Sequence, residues 1–560
     1  MPFVPNTPRR ELPLRGVPED LVAWPFVDEL FDYTAFLNAG PIANVPQAQW
    51  GAPVAVIGAG AAGMCAAFEL LKTGLTPVVF EASDRIGGRN WSQYFIQNGR
   101  PTNVFAEMGA MRVPTQNQVF YKYAGDFKLS FGTFPDPGTV QTRIYYENQI
   151  YDWAPGTNPP GPFLAIRNAF NAFTQPLLDK IYAVWPNIQP VWQQYIDQYK
   201  NTSFYEALVA GIPSWTTEDL NAFGSLGMGS GGFGPLYSVG FLEMLRILVN
   251  QFEVDQQLIL NGISALTQGF LNTPVRWPNG TRVSLASLGC VRVSAPVTSL
   301  EWNQLTHNPT VTWGGESPGT QDFAAVVVAT TTRAMEVLGL TPPLPQDNVN
   351  NVLTQPAKRG IRNLHLMESS KLFIRTATKF WKTAGIPQVV LTDELPRAAY
   401  CLDYPQTQNG VVLLSYTWGD DSAKLLALSP VERFNKFKDI LGIISPEFAE
   451  GLVPVDGVDD IYNVDWEAEP DYFGAFKLQD PGQDADAQSV YFQYLSVLDG
   501  NDRGIYLAGD SVSWAGGWTE GALHTGLNAA CAVAHRIGGT KVASKWPLDI
   551  DASQYKYTTP

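Results

Sequence analysis

Residues 54–89 read VAVIGAGAAGMCAAFELLKTGLTPVVFEASDRIGGR. An apolar, β-rich run from Val54 to Ile57 enters a turn carrying Gly58, Gly60, Ala62 and Gly63. A helical pattern follows, and a second β-rich run, Pro77 to Phe80, ends on Glu81 and Ala82. Strand, glycine turn, helix, strand and acid in this order make a dinucleotide-binding fingerprint in the context it requires. Gly58 permits the tight turn, Gly60 lets a pyrophosphate approach the backbone, and Gly63 lets the helix pack closely on the strand. The helix N-terminus offers free N–H groups and the positive end of its dipole to the phosphates. Glu81 is placed to accept from ribose hydroxyls. A glycine turn that only packs a helix leaves Glu81 unexplained, along with Arg85, Gly87, Gly88 and Arg89 beyond it.

That second run, DRIGGR, favours FAD over NAD: its glycines bring backbone near the cofactor, and Arg89 suits a doubly charged diphosphate. A pyridine-nucleotide-dependent reductase needs a second glycine fingerprint, and the sequence shows one. On these residues the chain resembles the flavin amine oxidases, which include monoamine, polyamine and L-amino-acid oxidases. The resemblance implies a mixed α/β fold. It comprises a discontinuous FAD-binding, Rossmann-like domain of the GR2 type, a substrate domain of sheet plus helices, and a helical subdomain. The expected boundaries are an N-terminal arm over 1–50 with one short helix, an FAD-binding domain over 51–115, 257–345 and 485–560, a helical subdomain over 116–256, and a substrate-binding domain over 346–484.

Composition agrees with a large enzyme. At 560 residues the chain exceeds a single-core domain, and 45% hydrophobic against 16% charged residues supplies ample core. A net charge of −16 argues against nucleic acid or an anionic membrane as partner, since both demand basic patches; it also serves solubility. Cys65, Cys290, Cys401 and Cys531 form no CxxC pair and read as free thiols of a reducing cytoplasm. His307, His365, His524 and His535 show no metal-ligand spacing. No apolar run is long enough for a transmembrane helix, and the proline- and acid-bearing N-terminus does not read as a signal peptide.

Two further segments carry chemistry. In GIYLAGDSVSWAGGWTEGA, an apolar strand delivers Gly509 and Asp510 at a strand end, where α/β sheets bind ligands. Gly516, Gly517, Trp518 and Thr519 then open a helix. In AEMGAMRVP, Arg112 sits among small and apolar residues, where a guanidinium needs an anion and its planar fork matches a carboxylate. An internal salt bridge with Glu107 is the alternative.

The resemblance assigns roles beyond these. It places Gly109, Ala110, Met111 and Val297 against the cofactor and gives Asp510 a ribityl hydroxyl. In the amino-acid-oxidising branch Arg112 binds the substrate carboxylate, with Tyr416 of VVLLSYTW as second donor. Lys371 of SSKLFI matches a lysine that holds a water near the flavin, and Trp466 and Trp518 match aromatic walls. The matching stretches (AEMGAMR, FPDPG, DQQLILNGISAL, ESSKLFI, GVVLLSYTW, AGGWTEGA) are most like those of the bacterial tryptophan 2-monooxygenases. In lysine-directed relatives, an acid after the double glycine meets the distal amine. Here that loop, GGFGPLYSVG, presents Phe233 and Leu236, so a bulky apolar or aromatic substrate is favoured.

The expected activity is therefore FAD-dependent oxidation of an L-amino acid by O2. The first choice is L-tryptophan to indole-3-acetamide, CO2 and H2O, in a cytoplasmic homodimer with non-covalent FAD and no metal. The alternatives are phenylalanine 2-monooxygenase and a deaminating L-amino acid oxidase.

Overall fold

The computed structural model describes residues 26–226, 234–253, 256–345, 348, 350–500 and 502–557. Its organising element is a five-stranded sheet in the order Val291–Arg292, Thr76–Phe80, Pro53–Ile57, Val326–Val328, Ile505–Leu507. Every neighbouring pair is parallel. The strands run from the middle outward to one edge and then to the other, so the topological switch lies beside Pro53–Ile57, where such sheets bind ligands. Val54–Ile57, Val326–Val328 and Ile505–Leu507 are all buried, as fits strands covered on both faces. The fingerprint helix (Ala61–Lys72) packs on the C-terminal helix (Thr519–Arg536). A Cβ on Gly526 would stand 2.5 Å from the Ala62 carbonyl oxygen, so glycine sets this approach.

A second sheet has seven strands: Ile461–Asp465, Ser369–Thr376, Gly410–Trp418, Ala398–Leu402, Val389–Thr392, Thr142–Tyr146 and Gln149–Trp153. Side chains alternate across it. Leu372, Ile374, Val412 and Leu414 point to one apolar cluster with Phe437, Leu441 and Phe448 of the helices Pro430–Ile444 and Pro446–Gly451. Phe373 and Leu413 join the main core on the other side. Thr142–Tyr146 and Gln149–Trp153 fall inside the block expected to be helical. Thr142–Tyr146 alternates buried and half-buried residues and pairs parallel to Val389–Thr392, and Gln149–Trp153 pairs antiparallel to Thr142–Tyr146, so the period of two decides there. Among the described residues, the α-helices of 116–256 are Gln118–Asp126, Phe163–Val184, Gln189–Tyr199, Phe204–Gly211, Thr217–Leu226 and Phe241–Val249.

Residues 26–50 are not an extended arm. Phe26, Val27, Phe31, Tyr33, Phe36, Leu37 and Ile42 are buried in the main core, and Asp32 caps the short helix Tyr33–Asn38. Below this segment lies a buried charge cluster. Arg246 donates to Asp28 at 2.8 Å, Asp484 at 2.8 Å and Glu243 at 3.1 Å, and the Tyr557 hydroxyl donates to Asp28. A guanidinium this deep persists only with such partners. Among the described residues, no helix is long and apolar enough to cross a membrane, no group of His, Cys, Asp and Glu suits a metal, and all four cysteines are free and buried.

Candidate active site

A cavity of about 530 Å³ opens at the carboxyl ends of the parallel strands. Its wall brings together Gly58, Gly60, Ala62, Glu81, Ala82, Gly88, Arg89, Gly109, Ala110, Met111, Arg112, Leu236, Val297, Lys371, Tyr416, Trp466, Gly509, Asp510, Trp518 and Thr519. Gly63 is packed behind it, and Phe233 lies outside the described residues.

The glycine turn divides its work by position. Gly58 has φ of +100°, and a Cβ there would sit 2.7 Å from the Ala329 carbonyl oxygen. A Cβ on Gly63 would fall on the Gly58 carbonyl oxygen, whereas Gly60 faces open space. That space is a cradle where backbone can meet a pyrophosphate, at a helix N-terminus. Glu81 is held rigidly at the strand end: its carboxylate accepts from Ala59 N at 2.8 Å, Ser83 N at 3.0 Å and Ser83 Oγ at 2.7 Å. These residues fit an adenine dinucleotide.

Arg89 and Asp510, expected to meet a diphosphate and a sugar hydroxyl, are paired with each other at 2.5 and 3.2 Å. The guanidinium also donates to Ala475 O at 2.7 Å. Opposite charges delivered to one cavity wall by distant segments neutralise each other there. Thr519 Oγ1 donates to Asn90 at 3.1 Å, fixing the start of the C-terminal helix against the loop after DRIGGR.

The other end of the cavity holds the cations. Lys371 is buried on a central strand, not at an edge, and stands opposite Tyr416 in register. Its Nζ donates to Glu107 O at 3.1 Å and Gly109 O at 2.5 Å. Burial pushes its pKa down to about 7, against the pull of Glu107 and with help from Arg112. The Glu107 carboxyl accepts from Ser92 Oγ at 2.7 Å and Ile263 N at 2.8 Å, and burial lifts it to about 8.

Glu107 is therefore engaged elsewhere, and the acids that face Arg112 are Glu253 and Asp136. Burial works to lower the Arg112 pKa, but Glu253, Tyr400, Tyr416 and Asp136 outweigh it and hold the guanidinium above its ordinary value. Arg112 also lies 5.4 Å from the Phe134 ring centre. Trp466 Nε1 donates to Met108 O at 3.1 Å, and its ring meets Trp91 and Tyr472 edge-on. Trp518 packs on Phe252, and Leu236 presents a buried, uncharged wall.

Sequence reasoning missed Glu253, Asn117, Trp418, Tyr472 and Phe476, which also line the cavity. Glu253 had one signal: an acid within one turn's length of the end of the apolar helix Phe241–Val249, where charge is costly unless partnered. The aromatics had none, because 12% of the chain is aromatic.

The Flavin containing amine oxidoreductase model matches residues 61–534. Tryptophan 2-monooxygenase of Pseudomonas savastanoi is 37% identical over 95% of this chain and 99% of its own length. The enzyme of the same name from Pantoea agglomerans pv. gypsophilae is 36% identical over 95% and 98%. A putrescine oxidase structure superposes with a TM-score of 0.66 at 18% identity, covering 87% of this chain and 99% of its own, and shares the fold. The dinucleotide cradle and the cavity beyond it are those of a flavin-dependent oxidoreductase, and the chain belongs to the flavin-containing amine oxidoreductase family.

Proposed function

We propose that the protein is an FAD-dependent L-amino acid 2-monooxygenase acting on L-tryptophan, with O2, to give indole-3-acetamide, CO2 and H2O. The observation that carries this reading is the placement of Arg112 and Tyr416 in one cavity with the dinucleotide cradle. The likeness to two tryptophan 2-monooxygenases over nearly the whole chain supports it.

Gly58, Gly60, Glu81, Arg89, Val297, Asp510 and the N-terminus of Thr519–Arg536 are the groups that would hold FAD. Non-covalent binding is supported by the stretch 511–522, which carries no cysteine and lends Gly516–Thr519 and Ala522 to the cavity wall, while Cys531 is buried within the helix. FAD, when bound, supplies the electron acceptor for the substrate Cα–H and the reductant for oxygen. The protein's own share is positioning and electrostatics. Arg112 offers a planar, doubly donating anchor for the α-carboxylate, and the Tyr416 hydroxyl offers a second donor. Lys371 holds an ammonium at the cavity wall against two carbonyls. Trp466, Trp518 and Leu236 exclude water and favour a flat apolar side chain.

Four free thiols support a reducing, cytoplasmic location. Product analysis with L-tryptophan tests the reading: indole-3-acetamide with CO2 is expected. Indole-3-pyruvate, ammonia and peroxide would move the enzyme to the deaminating oxidases.

A further inference from the structure

Asn117 holds the N-cap position of the helix Gln118–Asp126, yet its side chain does not cap that helix. An asparagine there ordinarily accepts from the N–H of the second or third helical residue. Here those donors, Val119 N and Phe120 N, go to the Glu520 carboxylate at 2.8 and 2.7 Å. Glu520 is held from behind by His524, whose Nε2 lies 3.3 Å from it while Nδ1 lies 2.6 Å from Glu29. The helix therefore has its cap without Asn117, and the amide is left over for the cavity, which it lines at 1% exposure. Among the described residues, Asn117 Oδ1 is the one side-chain acceptor of the cavity wall that is buried without a hydrogen-bond partner.

We propose that Asn117 Oδ1 is the acceptor for the imide N–H of the flavin ring. The inference rests on the flavin reading of the cavity and not on the choice of substrate.

Position and chemistry agree. The helix Thr519–Arg536 meets the fingerprint helix near the phosphate cradle, where Gly526 packs against the Ala62 carbonyl. Glu520 lies six residues nearer the N-terminus of Thr519–Arg536, about 9 Å along its axis. Asn117, pinned to Glu520 through its helix, thus stands beyond the phosphates and beside Trp518. An oxidised flavin ring carries acceptors at its carbonyl oxygens and ring nitrogens, but a single N–H, at the imide. The N–H groups that open a helix suit the carbonyls. The imide needs an acceptor, and leaving it unpaired in a closed site weakens binding. Glu253, on the same wall, is the competing acceptor, and it already accepts from Gln256 Nε2 at 3.2 Å.

The test strips flavin from the full-length enzyme and reloads it with FAD carrying nitrogen-15 at the imide. In wild type the imide proton should resonate downfield of free FAD and exchange with water more slowly. Asn117→Leu should lose the shift and the protection and bind FAD about 2- to 10-fold more weakly, the worth of one neutral hydrogen bond. Asn117→Asp, which keeps an oxygen acceptor in place, should restore both. Flavin-free Asn117→Leu should melt at or above the wild-type temperature, because the helix keeps its cap. A wild-type imide proton that exchanges as fast as in free FAD overturns the proposal whatever the variants do. Protection that survives in Asn117→Leu overturns it too, and protection lost in Glu253→Gln alone assigns the acceptor to that carboxyl instead. Lower flavin-free stability with an unchanged imide signal marks Asn117 as structural. A wild-type chain that takes up no flavin removes the cofactor reading and this inference with it.

Discussion

Lys371 and Tyr416 stand opposite each other on adjacent antiparallel strands, with the lysine nitrogen 4.7 Å from the centre of the tyrosine ring. The same nitrogen donates to the carbonyls of Glu107 and Gly109, three residues short of Arg112. One ammonium therefore ties the large sheet to the loop that carries Arg112.

Lys371→Met should slow the oxygen half-reaction more than the substrate half-reaction, because a positive charge beside the cofactor favours electron transfer to oxygen. With a pKa near 7, the wild-type oxygen rate should fall as pH rises through neutrality, and the variant should lack that step. Stopped-flow spectra of both half-reactions check this, and equal losses in the two would mark the lysine as structural.

Arg112→Met should retain yellow colour but lose kcat/KM for L-tryptophan. Removing a charged anchor from a partly buried ion pair costs on the order of 2–5 kcal/mol, about 30-fold or more. A variant that stays yellow and reacts at the wild-type rate excludes the anchor role.

His524 gives a pH-dependent stability. It lies 2.6 Å from Glu29 and 3.3 Å from Glu520 and stacks on Tyr33. Burial opposes its charge, but the two glutamates prevail and lift its pKa from 6.5 to about 9. A raised histidine stabilises fully below its unfolded value, and that contribution fades as pH climbs through the folded value. The pair is worth roughly 3 kcal/mol below about pH 6.5. Wild type should therefore lose more thermal stability than His524→Gln between pH 6 and 10, and parallel melting curves would assign the loss to other groups.

Leu236→Asp should raise activity on L-lysine relative to L-tryptophan, since it puts a counter-charge into an apolar wall. The ratio of the two kcat/KM values measures this; a wild-type preference for lysine contradicts the proposed specificity.

The parallel sheet was legible in the sequence because three of its strands are short apolar runs that end on glycine or acid: Val54–Ile57, Pro77–Phe80, Ile505–Ala508. Gly58, Glu81, Arg112 and Asp510 on the cavity wall were legible because they sit inside motifs whose spacing is rigid. Thr142–Trp153 was not, since a short alternating hairpin inside a long helical stretch gives few residues to fix the period. Nor was the burial of Phe26–Leu37, where prolines and charges next to the apolar residues mask a contact made across the whole fold. Glu253 was missed for a related reason: Arg112, which lines the same cavity, is distant in sequence, and no local pattern brings the two together.

Arg246 draws its counter-charges from Asp28 and Asp484, and Tyr557 reaches back to Asp28. These positions are spread over nearly the full polypeptide, so the cluster imposes an order on synthesis. A ribosome-held chain that has made Arg246 has long since released Asp28 but has not yet translated Asp484 or Tyr557. The edge strand Ile505–Leu507 and the helix after it are missing at the same stage. A growing chain thus carries an incomplete charge cluster and an unfinished cofactor cradle together. Both defects are repaired by the same terminal stretch, so cofactor capture must follow translation of that stretch.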